Sequence, residues 1–383
     1  MRSSSRSKVD SFIVMDVMEA ARQAEEAGRH IIHMEVGQPS TPAPSGARQA
    51  LATVLDDDAL GYTVALGLPE LRQKIARLYA DWYGVDLDPA RVIVTAGSSG
   101  AFLLAFSALF DAGDKVGIGM PGYPSYRQIL HALGLDTHLI TTSVENRYQP
   151  VPADVTPDLA GLMVASPANP SGTMLDIDAL GALINACHEN GTAFISDEIY
   201  HGIEYDRKAV TALQVSDDVY VINSFSKYFS MTGWRVGWMV VPEDHVRLIE
   251  RLAQNMFICP SHAAQIAAIG ALDSMDEADA NLAVYRANRD LMMAELPAMG
   301  FDRIAPPDGA FYVYADVSTL TEDSRAFARD ILDEAGVAVT PGIDFDPVRG
   351  AGTLRFSYAR STDDIREGLS RLREFMQARG HIA

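Results

Sequence analysis

The chain has 383 residues, 48% of them hydrophobic and 21% charged, an ordinary soluble globular composition with enough apolar side chain to bury a cofactor in one large or two smaller domains. Its 31 basic and 51 acidic side chains leave a net charge of -20, a field that repels phosphate backbones and anionic lipid, so nucleic acid and membrane surfaces are excluded as partners. Two cysteines, Cys187 and Cys259, make neither a disulfide framework nor a zinc cluster. Cys187-His188 and the pair His30/His33 have no further ligands nearby, so no metal is expected, and free thiols suit a reducing cytoplasm.

No apolar run approaches the ~18 residues that span a bilayer. "MRSSSRSKVD" is basic and serine-rich with no apolar stretch after it, and reads as a frayed tail rather than a secretory signal. "FIVMDVMEAARQAEEAG" has helical apolar spacing, "HIIHMEVGQPSTPAP" is a short strand running into a Gly/Pro loop, and "LPELRQKIARLYADWYG" is an amphipathic helix. From there strands and helices alternate: strand "RVIVTAG", helix "SGAFLLAFSALFDAG", strand "DKVGIGMPGY", helix "PSYRQILHALG", strand "LAGLMVASPANPSG", helix "DIDALGALINACHENG", then strands "TAFISDEIY" and "VYVINSFSK". Apolar strands alternating with helices predict an α/β fold, a mostly parallel sheet with helices on both faces. Past residue ~245 the chain turns helical, with one long helix predicted over 275–300. "GAFYVYADV", "GVAVTPG" and "GTLRFSYA" then read as strands of a smaller α+β domain.

In such sheets the functional groups sit in loops just past the carboxyl ends of the strands. Four segments end there. "RVIVTAG" runs into small residues opening a helix, where backbone N–H groups and the helix dipole favour an anion. "LMVASPA" ends at Asn169-Pro170, "AFIS" at Asp197 with Tyr200 three residues on, and "VYVINSFS" at Lys227. Singly, each has a bland explanation: a helix N-cap, a turn, a second N-cap, a solvated lysine. The first lacks G-x-G-x-x-G and also the Gly-Lys-Ser/Thr of a P-loop. Together, an anion cradle, a carboxylate, a phenol and a lysine match an aromatic cofactor with a phosphate, a basic ring nitrogen, a ring hydroxyl and an aldehyde. Pyridoxal phosphate is such a molecule.

The motifs resemble those of the class I/II aminotransferases, pyridoxal-phosphate enzymes of fold type I. "SFSKYFSMTGWRVGW" is similar to the family's lysine signature, "ASPANPSGT" to its Asn-Pro-x-Gly loop, "SDEIY" to its Asp-x-x-Tyr segment and "TLRFSYA" to its C-terminal arginine strand. They follow in family order from about residue 31 to 360. The resemblance implies a seven-stranded-type sheet in a large cofactor-binding domain over 40–285. A small domain of 1–39 and 286–383 accompanies it. It implies that Lys227 bonds to the cofactor aldehyde and moves the substrate proton, and that Asp197 holds the pyridine nitrogen protonated. Tyr200 and Asn169 would bind the ring 3-oxygen and Tyr123 would stack on the ring. Ser98, Ser99, Ser224 and Arg235 would hold the phosphate, and Arg355 would grip the substrate carboxylate with a bidentate fork, Gly37 leaving it room. Tyr62 matches a tyrosine that reaches the phosphate from the other subunit of a homodimer, or else is a core aromatic.

The implied reaction is transamination between an L-amino acid and a 2-oxo acid. Aspartate-type relatives add a second cation for the distal carboxylate; "NMFICPSHAAQ" has no arginine and "SGAFLLAFSALF" no lysine, which favours neutral or aromatic donors with 2-oxoglutarate or pyruvate as acceptor. His262 is either near the pocket or structural. A β-eliminating C–S lyase would share Lys227, Asp197 and Arg355. A non-catalytic regulatory module that kept the fold is opposed by the acidic charge and the intact lysine constellation.

Overall fold

The computed structural model describes residues 1–382. In chain order its elements begin with α1 (Ile13–Glu26), β1 (Ile32–His33), α2 (Ser45–Val54), α3 (Pro69–Tyr83), β2 (Val92–Thr95) and α4 (Gly97–Leu109). Then come β3 (Lys115–Met120), α5 (Pro124–Leu133), β4 (Asp136–Thr141), β5 (Gly161–Ala165), α6 (Ile177–Asn190), β6 (Ala193–Asp197), β7 (Tyr220–Ser224) and β8 (Gly237–Val240). Helices α7 (Val246–Met256), α8 (His262–Leu272) and α9 (Met275–Glu295) follow. The chain closes with β9 (Arg303–Ile304), β10 (Tyr312–Asp316), α10 (Ser324–Asp330), β11 (Val337–Ala338), β12 (Thr340–Pro341), β13 (Thr353–Ser357) and α11 (Thr362–Ala378).

Seven strands form one sheet in the order β2-β8-β7-β6-β5-β3-β4. The pairs β3–β4, β3–β5, β5–β6 and β6–β7 are parallel, while β8 runs antiparallel between β2 and β7. Every residue of β2, β7 and β8 is buried, as expected for strands covered on both faces. Alternate residues feed two cores: Ile93, Ile195, Ile222 and Met239 pack with α4, α5 and α7, and Val94, Phe194 and Val221 pack with α3 and α6 on the other face. A second, four-stranded antiparallel sheet has the order β12-β13-β10-β9. The first residues join this part of the chain, since β1 pairs in parallel with β11.

Three elements depart from the sequence reading. Strand β8 begins at the end of the segment that resembles the lysine signature, and the sequence reading has no strand there. Strand β4 is an edge strand with mostly exposed or half-exposed side chains, so it lacks the apolar run that marks its neighbours. The long helix predicted over 275–300 ends at Glu295, where Pro297 opens a short 3-10 turn.

Candidate active site

The carboxyl ends of β2, β6 and β7 border a cavity of about 610 Å³, lined on the other side by Phe12, Val14, Met15, residues 36–38 and Arg355. Ser98, Ser99, Tyr123, Asn169, Asp197 and Tyr200 line it, as do Lys227, Arg235, Arg355 and Gly37. Ten of the twelve site residues expected from the sequence therefore meet at one place.

Lys227 follows β7 and its Nζ donates 2.6 Å to the carbonyl of Gly37, 5.6 Å from the centre of the Tyr200 ring. Desolvation pushes its pKa down from 10.5 to about 8; the positive charges of Arg355 and Arg235 act in the same direction and Asp197 opposes them. At neutral pH a useful fraction of such an amine is uncharged and nucleophilic. Asp197 ends β6 and is 3% exposed. Burial raises its pKa from 3.8 to about 6, against the donors that stabilise its anion. Those donors are the Tyr126 hydroxyl on Oδ2 and the Ile199 amide, 3.1 Å from Oδ1.

Arg355, on β13, is 2% exposed. Its guanidinium lies between the rings of Tyr312 (4.4 Å) and Phe345 (4.7 Å). Its Nη1 donates 2.9 Å to Asn169 Oδ1, and Nη2 donates to the Glu35 carbonyl and, at 3.3 Å, to Thr340 Oγ1. Nε is buried without a partner. The fork is thus stiffened by neutral acceptors and rings, and among the described residues no carboxylate is ion-paired with it, which leaves its N–H groups for an anion. The Tyr200 and Tyr312 hydroxyls are 2.7 Å apart. Gly37 stands against this pair: a Cβ there would collide with the Tyr312 hydroxyl. The space opened by this glycine is therefore filled by Tyr312, while its carbonyl takes the lysine.

A second corner suited to an anion lies at the start of α4. Gly97 has φ +68°, a conformation that favours glycine, and a Cβ there would strike the Arg235 guanidinium. The exposed Arg235 spends one N–H on the Thr232 carbonyl at 2.9 Å. Ser98 and Ser99 open the helix beside it, so backbone amides, hydroxyls and a guanidinium share one concave corner.

Two expected residues lie elsewhere. Ser224 does not line the cavity: its hydroxyl donates 3.0 Å to the Val236 carbonyl and sits 2.8 Å from the Ser226 hydroxyl, and it is Ser226 that faces the cavity. Tyr62 is 83% exposed and belongs to neither the core nor this chain's cavity. His262, at the start of α8, does not line the cavity either.

The sequence reading missed Tyr126, Tyr312 and Ser226. Tyr126 is three residues past Tyr123, one turn into α5, a spacing that puts both on one helix face. Tyr312 is two residues from Tyr314, the register partner of Arg355, so the two share a face of the antiparallel pair. It also missed the apolar wall formed by Phe12, Val14 and Met15 from the start of α1.

A family model described as aminotransferase class I and II matches residues 29–372. The chain is 47% identical over 374 residues to a valine–pyruvate aminotransferase of Mycobacterium tuberculosis strain H37Rv, covering 96% of each. A solved structure from Silicibacter pomeroyi, assigned to the aminotransferases without a stated substrate, is 71% identical with a TM-score of 0.95, over 99% of this chain and 100% of that one. The crystal structure of an aminotransferase from Mycobacterium tuberculosis is 46% identical with a TM-score of 0.96 over the same shares. A family match across nearly the whole chain, on a fold that gathers lysine, carboxylate and arginine at one cavity, identifies this protein as a member of the class I and II aminotransferases, enzymes that move an amino group between an amino acid and a 2-oxo acid.

Proposed function

We propose that the cavity binds pyridoxal 5′-phosphate and that the enzyme takes the amino group of a neutral aliphatic L-amino acid, of the valine or alanine type, and passes it to a small 2-oxo acid such as pyruvate. The observation that carries the substrate class is the cavity wall. Its cations are Lys227, Arg235 and Arg355, each with a task already, and the surface beside Arg355 is apolar: Phe12, Val14, Met15 and Val36. A distal carboxylate would lie unpaired there, at the cost of its desolvation. The name of the valine–pyruvate relative agrees with this choice.

The donor set fits the cofactor. The corner of Gly97, Ser98, Ser99, Ser226 and Arg235 suits a phosphate, with each charge-assisted bond contributing ~1.5–3 kcal/mol. Asp197, with Tyr126 and Ile199 stabilising its anion, would accept from the ring nitrogen. Tyr200 and Asn169 would hold the ring oxygen, and Tyr123 would cover the ring. Once bound, the cofactor supplies an aldehyde for amines and an electron-poor ring beside the substrate Cα.

The chain's own residues then do the rest. Lys227, as a neutral amine, would hold the cofactor aldehyde until a substrate amine takes its place, and with its lowered pKa it would take the Cα proton and later return one. Arg355 grips the carboxylate and so fixes which bond at Cα faces Lys227. The apolar wall excludes water and receives the side chain.

The working unit is a homodimer. Tyr62, Leu55, Val64, Phe257 and Ile258 are exposed apolar side chains, and Ser99 and Arg235 are open to solvent in a single chain. A second copy that covers this surface would bring its Tyr62 to the phosphate. The cofactor groups belong to the 40–285 domain and Arg355 to the 1–39 and 286–383 domain. Among the described residues no helix is long and apolar enough to cross a membrane, and the two free thiols suit the cytoplasm.

A screen of twenty amino acids against pyruvate, 2-oxoglutarate and oxaloacetate, scored for stoichiometric exchange, tests the reading. Valine or alanine leads the donors in the expected result. Aspartate as the best donor would overturn the substrate class, and pyruvate with ammonia released without an acceptor would point to the C–S lyase.

A further inference from the structure

The apolar wall is held by a contact far away in sequence. Helix α1 starts without a side-chain cap of its own, so its first N–H groups need outside acceptors. They find the carboxylate of Asp344, from the other end of the chain. Ile13 N donates 3.3 Å to Oδ1 and Val14 N donates 3.2 Å to Oδ2. Asp344 is 1% exposed, and a carboxylate at a helix N-terminus also gains from the dipole.

The same short segment holds two other parts of the site. Arg127, on α5, donates 2.8 Å to the Asp344 carbonyl. Phe345, the next residue, stacks on Arg355 at 4.7 Å and accepts at its carbonyl from Gly122 N at 3.0 Å. Phe12, just ahead of the clamped turn, meets Tyr123 edge-on at 5.8 Å. One carboxylate therefore ties the turn carrying Phe12, Val14 and Met15 to the frame that holds Arg355 and Tyr123.

We infer that Asp344 is a positioning residue for substrate selection: by clamping the first turn of α1 it holds the apolar wall against the substrate side chain, so it raises the efficiency of a branched aliphatic donor relative to alanine. The inference rests on the aliphatic-substrate reading above. Arg355 and Lys227 fix the carboxylate and Cα of every donor alike; only the side chain meets the wall. Each side-chain carbon taken from water is worth about fourfold in binding, and valine has two more than alanine. Releasing the wall lowers the valine-to-alanine ratio of kcat/KM by about tenfold, mostly through KM for valine.

The test uses the cofactor-loaded dimer. Asp344→Ala lowers that ratio by about tenfold, and Asp344→Asn, which keeps one acceptor oxygen, lowers it less. In a Met15→Ala background the effect of Asp344→Asn shrinks, because the two changes act on one wall. Equal losses for valine and alanine, or an undiminished effect in the Met15→Ala background, overturn the inference. If Asp344→Ala does not fold, Asp344→Asn and Met15→Ala carry the same comparison. Amide exchange separates this failure from failure of the substrate reading. A wild-type enzyme inactive on both donors overturns the aliphatic reading. The clamp is then judged by whether Ile13 and Val14 exchange at least about tenfold faster in Asp344→Asn; equal rates overturn it.

Discussion

Replacing Arg355 with lysine keeps the charge and removes the fork. In the wild type the guanidinium is held between Tyr312 and Phe345 and by Asn169, Glu35 and Thr340, so its plane at the cavity wall is fixed. A lysine ammonium is a single point donor on a flexible stem and has no planar face for the rings. At least one of two charge-assisted bonds to the substrate carboxylate is lost, worth ~1.5–3 kcal/mol. That is about 10- to 150-fold in kcat/KM. Every α-amino acid presents the same carboxylate, so valine, alanine and phenylalanine should fall by similar factors. The absorbance of the bound cofactor should not change. Steady-state kinetics on the three donors, with the cofactor titrated spectrophotometrically, measures both. A fall below threefold, or donors separated by more than about tenfold, would refute the assignment of Arg355 to the carboxylate.

The amine of Lys227, lowered to about 8, is about 300-fold more often neutral at pH 7 than one at 10.5. The rate at which cofactor-free protein takes up pyridoxal phosphate should rise about tenfold per pH unit below 8 and level off above it; a rate still climbing through pH 10 would contradict the lowered pKa. Tyr126→Phe removes a donor to the Asp197 anion, so the Asp197 pKa moves further above about 6 and a smaller fraction can accept from the ring nitrogen. Cofactor affinity by equilibrium dialysis should drop about tenfold or more near pH 7, with a larger loss at lower pH, and an unchanged affinity would remove Tyr126 from the site. Gly37→Ala drives a methyl into the Tyr312 hydroxyl and parts it from Tyr200. It should cost at least about tenfold in kcat/KM, and adding Tyr312→Phe should recover part of that loss; no recovery would place the damage elsewhere.

The parts of the fold read from sequence are those where burial leaves a long apolar signature. Strands β5, β6 and β7 have continuous buried runs, and the α3 and α6 helices have clear apolar periods. Strand β4 is an exposed edge, and β8 hides among glycine, tryptophan and arginine in a segment whose chemistry draws attention first. The candidate site divides the same way. Lys227, Asp197 and Asn169 follow strands, and local sequence shows that they end at one sheet edge. The resemblance to the lysine signature implies Ser224 as a phosphate ligand. The turn after β7 instead aims Ser226 into the cavity and leaves Ser224 bonded to Val236. Tyr312 and the clamp of α1 by Asp344 depend on contacts between residues more than a hundred positions apart, which periodicity within one segment does not report.

The most direct test of the account is chemical trapping of the lysine. The protein is loaded with pyridoxal phosphate, reduced with borohydride, digested and mapped by mass spectrometry. The account predicts one stable cofactor adduct per chain, on the peptide containing Lys227. An adduct on another lysine, or none in fully loaded protein, would contradict it.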